Sequence, residues 1–155
     1  MKKNLISILK VGRKGRIKEL RLWHIDLIPY LPKSQLLAQW RELNSIFKKQ
    51  DKHILINYIY DYPKEYLWRY TAKLVNEMGD RSIKVKHWDN YDEYFKELYV
   101  VFTDLRFKEH NNEYLTICYY NLKEKYLRGQ KDFTAEVWQK LDTFYQQWLK
   151  ENGDE

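Results

Sequence analysis

Within the segment LLAQWREL, residues 36–43, one carboxylate stands where it can do chemistry. On a helix that turns Leu36, Trp40 and Leu43 inward, Glu42 lies beside the apolar stripe and Arg41 on the outer flank. One turn to either side of Glu42 stand Ala38 and Ser45, both small. A carboxylate between small residues at the margin of a core has room for a ligand. Partial desolvation there favours its protonated form, which suits general acid–base work. The plainer alternative is an ordinary helix carboxylate paired with a cation, and spacing alone favours it.

Other reactive side chains are scattered. His24, His53, His87 and His110 fall in separate segments with no i, i+3 or i+4 pairing, so no metal site is expected. His24, in the run RLWH, is near enough in sequence to the 36–43 segment to line a site with Glu42, or else it packs beside Trp23. Cys118 is the single cysteine, which rules out a disulfide within one chain, fits a reducing compartment, and falls on an apolar stripe as a core residue. The chain has no glycine-rich phosphate loop, no GxSxG and no paired carboxylates, and no cofactor is implied. Two clusters mix cations with rings in a way that suits phosphate contact and base stacking. They are Lys48, Lys49 and Lys52 after Phe47, and Arg81, Lys84 and Lys86 before His87 and Trp88. Either can equally be a solvated helix end, where lysine is favoured by the dipole.

The elements that must position these residues follow from spacing. At 155 residues and 44% hydrophobic content the chain reads as one domain, and its 17% aromatic content implies a core of large rings whose hydroxyls and indole N–H groups find polar partners. RLWHIDLI alternates partially and is checked by Pro29 and Pro32, so it reads as an extended leading segment. Ser34 is placed to cap a first helix over 34–49, with Leu36, Trp40, Leu43 and Phe47 on its stripe. A second helix follows Pro63 and stops at Gly79, and Tyr94, Phe95, Leu98, Tyr99 and Phe102 mark a third. Asn111 or Asn112 caps a fourth that ends at Arg128 and Gly129, and Thr134 caps a fifth through Val137, Leu141, Phe144 and Trp148. HILINYIY and SIKVKHW are the only segments that could pair, as a small two-stranded ribbon. The expected fold is mainly α: a single compact helical domain of four to five helices, with that ribbon as a minor feature.

Charge divides the chain. Residues 1–19 carry seven basic side chains against one acidic, which is the whole formal +6, so residues 20–155 are neutral overall. The head has Gly12, Gly15 and no sustained period, and is expected to be poorly ordered. Its basicity is therefore no argument that the body binds nucleic acid. No apolar run approaches the roughly 18 residues that cross a bilayer, so no membrane partner is expected and the chain reads as cytoplasmic.

QLLAQWREL resembles the signature helix of the pyrimidine-dimer DNA glycosylase family, founded by phage endonuclease V, where a similar run ends in Arg-Glu-Leu. The wider stretch RLWHIDLIPYLPKSQLLAQWRE, then YLWRYTAKLVNEM and YLTICYYNLKEKY, is similar to a bacterial branch beginning Met-Arg-Leu-Trp-His. The resemblance implies a small helical DNA-repair enzyme that extrudes a nucleotide at a damaged pyrimidine, with damaged duplex DNA as partner. In that family the α-amine of the mature N-terminus attacks the sugar, releases the base and leaves a Schiff base, from which β-elimination nicks the strand, an AP lyase step. An α-amine, with a pKa near 8, is substantially unprotonated at neutral pH. Glu42 matches the family's acid/base glutamate and Arg41 its phosphate-contacting arginine. Arg21, Trp23, His24 and Gln35 would line the site. Gln35 stands where the phage enzyme has a histidine, Ser45 where it has a further phosphate-contacting arginine, and the acidic WLKENGDE replaces its basic aromatic tail.

The matching start, Leu20, takes the place of the relatives' initiator Met, and a leucine codon is a common alternative start in bacteria. One expectation is that residues 1–19 are an untranslated leader before a misassigned start, so that the amine sits at the position of Leu20 or Arg21. The alternative is that the extension is real and the scaffold serves as a noncatalytic nucleic-acid-binding or interaction domain.

Overall fold

The computed structural model describes residues 22–48, 57–99 and 104–152. Among these it contains a 3-10 helix (Ile25–Tyr30) and six α-helices: α1 (Lys33–Lys48), α2 (Asn57–Tyr60), α3 (Lys64–Asp80), α4 (Asp89–Tyr94), α5 (Asn112–Leu127) and α6 (Ala135–Asn152). The all-α class expected from the periodicity is the one found. The 3-10 helix packs on α3 and α6, α1 on α3 and α4, and α5 on α6.

Caps follow the local chemistry. Asn111 accepts the Tyr114 N–H at 2.9 Å to begin α5, and Thr134 accepts that of Val137 at 3.2 Å to begin α6. α5 ends at Arg128, after which Gly129 turns the chain at φ 79°. Ser34 does not cap α1 as its sequence position suggests. It lies in the first turn, and its N–H and hydroxyl both donate to Asp132, each at 2.8 Å. The capping carboxylate thus comes from 98 residues away, a distance no local pattern reveals.

Four expectations are corrected. The leading segment is not extended: His24 caps a 3-10 helix that accommodates Pro29 and buries Ile25, Leu27 and Ile28. There is no strand among the described residues. Asn57–Tyr60 is helical, and 83–88 runs without a partner. The third helix lies earlier than its stripe implied, at Asp89–Tyr94, because Asp89 and Asp92 favour its first turn while Tyr91, Tyr94 and Phe95 pack on Phe47. α3 runs through Gly79 to Asp80, and it is Ser82 that turns left-handed, at φ 60°.

The aromatic core takes the form its composition suggests. Tyr119 stacks on Tyr145 at 3.7 Å and Trp40 lies 5.0 Å from Trp88. The polar ends of these rings tie down backbone. The Tyr70 hydroxyl donates to the Trp23 carbonyl at 2.7 Å, that of Tyr114 to the Leu22 carbonyl at 2.6 Å, and the Trp40 indole to the Lys86 carbonyl at 2.7 Å. Such bonds are worth about 1 kcal/mol each, and breaking one over a buried partner costs more. Two of the three hold the chain at Leu22 and Trp23.

Candidate functional site

One face of α1 offers Gln35, Ala38, Gln39 and Glu42 at i, i+3, i+4 and i+7. One face of α5 offers Tyr114, Cys118, Asn121, Lys125 and, just past its end, Arg128, whose guanidinium donates at 3.0 Å to Glu124, a second carboxylate on the cavity lining. The two faces enclose a cavity of about 380 Å³, with Trp23 at its edge. Ala38 supplies the room, and Glu42 is half-buried with its Oε2 out of contact with solvent. The carboxylate therefore stands at a recess large enough for a small ligand, opposite a carboxamide and an ammonium from a distant helix.

Trp23 is held on three sides. Its backbone N–H donates to Gln39 Oε1 at 2.8 Å, its carbonyl accepts from Tyr70, and its indole N–H donates to Gln35 Oε1 at 3.2 Å. Gln39 is 3% exposed, and its Oε1 also accepts from the Tyr70 hydroxyl at 3.1 Å. Gln35 in turn donates to Gln130 Oε1 at 3.2 Å, and Gln130 donates to Ser34 Oγ at 3.0 Å. A chain of side-chain bonds thus runs from the indole to the Asp132 cap of α1. Through Gln35 the cavity wall is tied to the loop between α5 and α6.

His24 lies elsewhere. It is buried beside His110 and Tyr114, with ring centroids 5.5 and 6.2 Å away, and does not line the cavity. Burial pulls its pKa down to about 4, against the opposing pull of Asp26, and holds His110 lower still, at about 3. Both rings are neutral structural acceptors in the physiological range. Cys118 reaches the cavity from the core side, and burial pushes its thiol up to about 12, so it remains an unreactive thiol.

The candidate cations separate. Arg41 and Lys48 are exposed on a different face of α1, beside a second groove with His87 and Asn90. Lys84 and Lys86 are exposed on the 83–88 segment. Arg81 is engaged in the fold: its guanidinium donates to Glu77 at 2.8 Å, to the Leu31 carbonyl at 2.7 Å and to the Pro29 carbonyl at 2.9 Å, tying the end of α3 to the 3-10 helix. Leu20, Arg21, Lys49, Lys52 and His53 lie outside the described residues. Among the described residues no cluster of His, Cys, Asp and Glu could hold a metal, and no helix is long and apolar enough to cross a membrane.

Sequence alone does not single out Gln39, Tyr114, Asn121 and Lys125. Tyr114, Cys118, Asn121 and Lys125 do share one helical face by spacing, yet Asn121 and Lys125 read as solvent-facing until α1 is placed opposite.

The family model described as pyrimidine dimer DNA glycosylase matches residues 20–91. The match covers somewhat less than half of the chain. It takes in Trp23, Gln35, Ala38, Gln39 and Glu42, agrees with the resemblance read from QLLAQWREL, and stops short of α5. No curated protein and no solved structure matches the chain.

Proposed function

From the pyrimidine dimer DNA glycosylase pattern over residues 20–91 and the cavity at Glu42, we infer that this chain is a DNA-repair glycosylase acting on damaged pyrimidines in duplex DNA. The observation that carries the reading is that Glu42 and Trp23 line one cavity, with the backbone at Leu22 and Trp23 held there by Tyr114, Tyr70 and Gln39. A chain beginning at Leu20 or Arg21 starts one or two residues before Leu22. By the reach of the backbone its α-amine then lies within about 9 Å of the Leu22 Cα.

In this reading the unprotonated amine attacks the sugar carbon bearing the damaged base. A C–N bond forms, the glycosidic C–N bond breaks, and the base departs with its electron pair. Glu42 stabilises the positive charge that develops on the sugar and moves the proton that opens the ring to the Schiff base. Loss of a proton from the adjacent sugar carbon then expels the 3′ phosphate and nicks the strand. Arg41, outside the cavity, is assigned to a backbone phosphate.

Borohydride trapping tests the nucleophile. Protein beginning with Met at position 20 is incubated with ultraviolet-irradiated duplex DNA and borohydride, beside the chain that begins at Met1. A covalent adduct formed by the shorter protein, mapped to its first residue, is expected. No adduct would overturn the amine mechanism and leave a noncatalytic DNA-binding scaffold. Intact mass of the protein made from its own gene is expected to begin at position 20 or 21.

A further inference from the structure

Three side chains on the lining of the Glu42 cavity carry nucleophilic atoms: Tyr114, Cys118 and Lys125. The first two are disarmed by the core. The Tyr114 hydroxyl donates to the Leu22 carbonyl at 2.6 Å, and burial pushes its pKa well above the ordinary range. Burial likewise pushes the Cys118 thiol up to about 12. Neither presents an anion near neutral pH.

Lys125 differs. It stands in the last turn of α5, where the helix dipole favours a cation. Along the cavity face of this helix, Tyr114 and Cys118 are buried, Asn121 and Lys125 half-buried and Arg128 exposed. Lys125 thus lies between the floor and the rim. Arg128, at the rim, is paired with Glu124. The Lys125 side chain makes no hydrogen bond or ion pair among the described residues. An amine on α5 and the Glu42 carboxylate on α1 therefore meet one recess from facing walls, and Ala38 leaves the space there.

We propose that Lys125 is a second amine for DNA: with Glu42 it cuts the strand at abasic sites through a Schiff base to the ring-opened sugar, without an amine at position 20 or 21. The inference rests on the reading of the cavity as a site for a DNA nucleotide. Wherever residues precede position 20, the nitrogen there is a planar amide whose lone pair is delocalised. Lys125 is in place whichever residue begins the chain. It also lies beyond residues 20–91, where the glycosylase family model matches.

An abasic sugar exposes an aldehyde, the carbonyl with which lysine amines form Schiff bases. The lone pair of the unprotonated Nζ adds to the aldehyde carbon and a C–N bond forms. The former carbonyl oxygen takes a proton from nitrogen and a second from the Glu42 carboxyl, and leaves as water. A protonated Schiff base remains. The Glu42 carboxylate then removes a proton from the adjacent carbon. The electrons of that C–H bond become a carbon–carbon double bond as the C–O bond to the 3′ phosphate breaks, and the phosphate departs with its electron pair. Water finally hydrolyses the imine, returning the Lys125 amine and an unsaturated aldehyde.

The test uses the chain that begins at Met1, a duplex carrying one abasic site, and borohydride, which reduces the Schiff base to a stable secondary amine. An adduct at Lys125, mapped by peptide mass, is expected. Lys125→Arg keeps the charge and the helix propensity but has no amine for a Schiff base. Its adduct and its nicking are expected to be lost, while its affinity for the abasic duplex by fluorescence anisotropy stays at the parent value. That split separates an attacking amine from a cation that only holds phosphate. Glu42→Gln is expected to slow adduct formation by a factor of about 10² or more, and Lys140→Arg, exposed on α6, to match the parent. A full chain that gives no adduct at Lys125, or a Lys125→Arg variant that is trapped and nicks at the parent rate, overturns this inference. The repair reading survives that outcome if protein beginning with Met at position 20 is trapped through its first residue on irradiated duplex. If neither chain is trapped on either DNA, both fall.

Discussion

Acidification from pH 7 to pH 5 strikes the centre of this fold through His24 and His110, each 2% exposed. Nδ1 of His24 accepts the Asp26 N–H at 3.1 Å, and Nδ1 of His110 accepts the Ile25 N–H at 3.2 Å while its Nε2 meets the Tyr58 hydroxyl at 3.1 Å. A proton on either Nδ1 would oppose one N–H to another in the core. Burial, aided by Arg106 nearby, therefore holds His24 at about 4 and His110 at about 3. In the unfolded chain both titrate near 6.5. Since the folded values are the lower ones, the unfolded chain takes up protons first. The stability these rings contribute is whole above pH 6.5 and is lost progressively as pH falls towards 3 to 4. Between pH 7 and pH 5 each ring loses about 2 kcal/mol, about 4 kcal/mol together, a large part of the 5–15 kcal/mol typical of a domain. Asp26, itself pushed up by burial, is held below its ordinary value by the Arg106 bond and adds to the loss at lower pH. Urea unfolding at the two pH values measures the difference, and NMR titration of the imidazoles identifies its source. A pH 5 stability within about 1 kcal/mol of the pH 7 value, or folded-state His24 and His110 that titrate near 6.5, would refute the reasoning.

Further outcomes follow from single contacts. Gln39→Leu strands the Trp23 N–H and is expected to cost about 2–3 kcal/mol, lowering the midpoint of thermal unfolding by roughly 5–10 °C; a change below 1 °C would contradict the anchoring role of Gln39. Arg81→Ala removes the bonds to Glu77, Leu31 and Pro29. It is expected to lower stability by about 2 kcal/mol while leaving duplex affinity at the parent value, as judged by thermal melts and anisotropy. Asp132→Ala uncaps α1 and is expected to cost about 1 kcal/mol in urea unfolding.

Helix content is legible because α1, α3 and α6 each carry an apolar stripe of period 3.6, while α5, which buries residues on nearly every side, is marked by its ends, and the caps at Asn111 and Thr134 act on neighbours three residues on. What escapes reading depends on distance in sequence. Asp132 caps α1 from across the fold, and the Glu42 cavity needs α5, whose Asn121 and Lys125 look like surface residues in isolation. Short elements also escape. The 3-10 helix at Ile25–Tyr30 is held by the His24 cap and by packing on α3 and α6, against the local signal of Pro29 and alternating residues. Glu42 itself is legible, since Ala38 one turn away marks the space beside it. His24 misleads, since nearness in sequence to α1 does not show that its ring is buried beside His110 and Tyr114, off the cavity lining.

Glu42→Gln shows whether Glu42 does chemistry on DNA held at the cavity. Protein beginning with Met at position 20 is assayed for nicking of ultraviolet-irradiated duplex beside its Glu42→Gln variant, with duplex affinity measured in parallel. Nicking is expected to fall by a factor of about 10² or more while affinity stays equal or rises. A Glu42→Gln variant that nicks at the parent rate, or a parent that binds irradiated duplex and never cuts it, would contradict that role of Glu42.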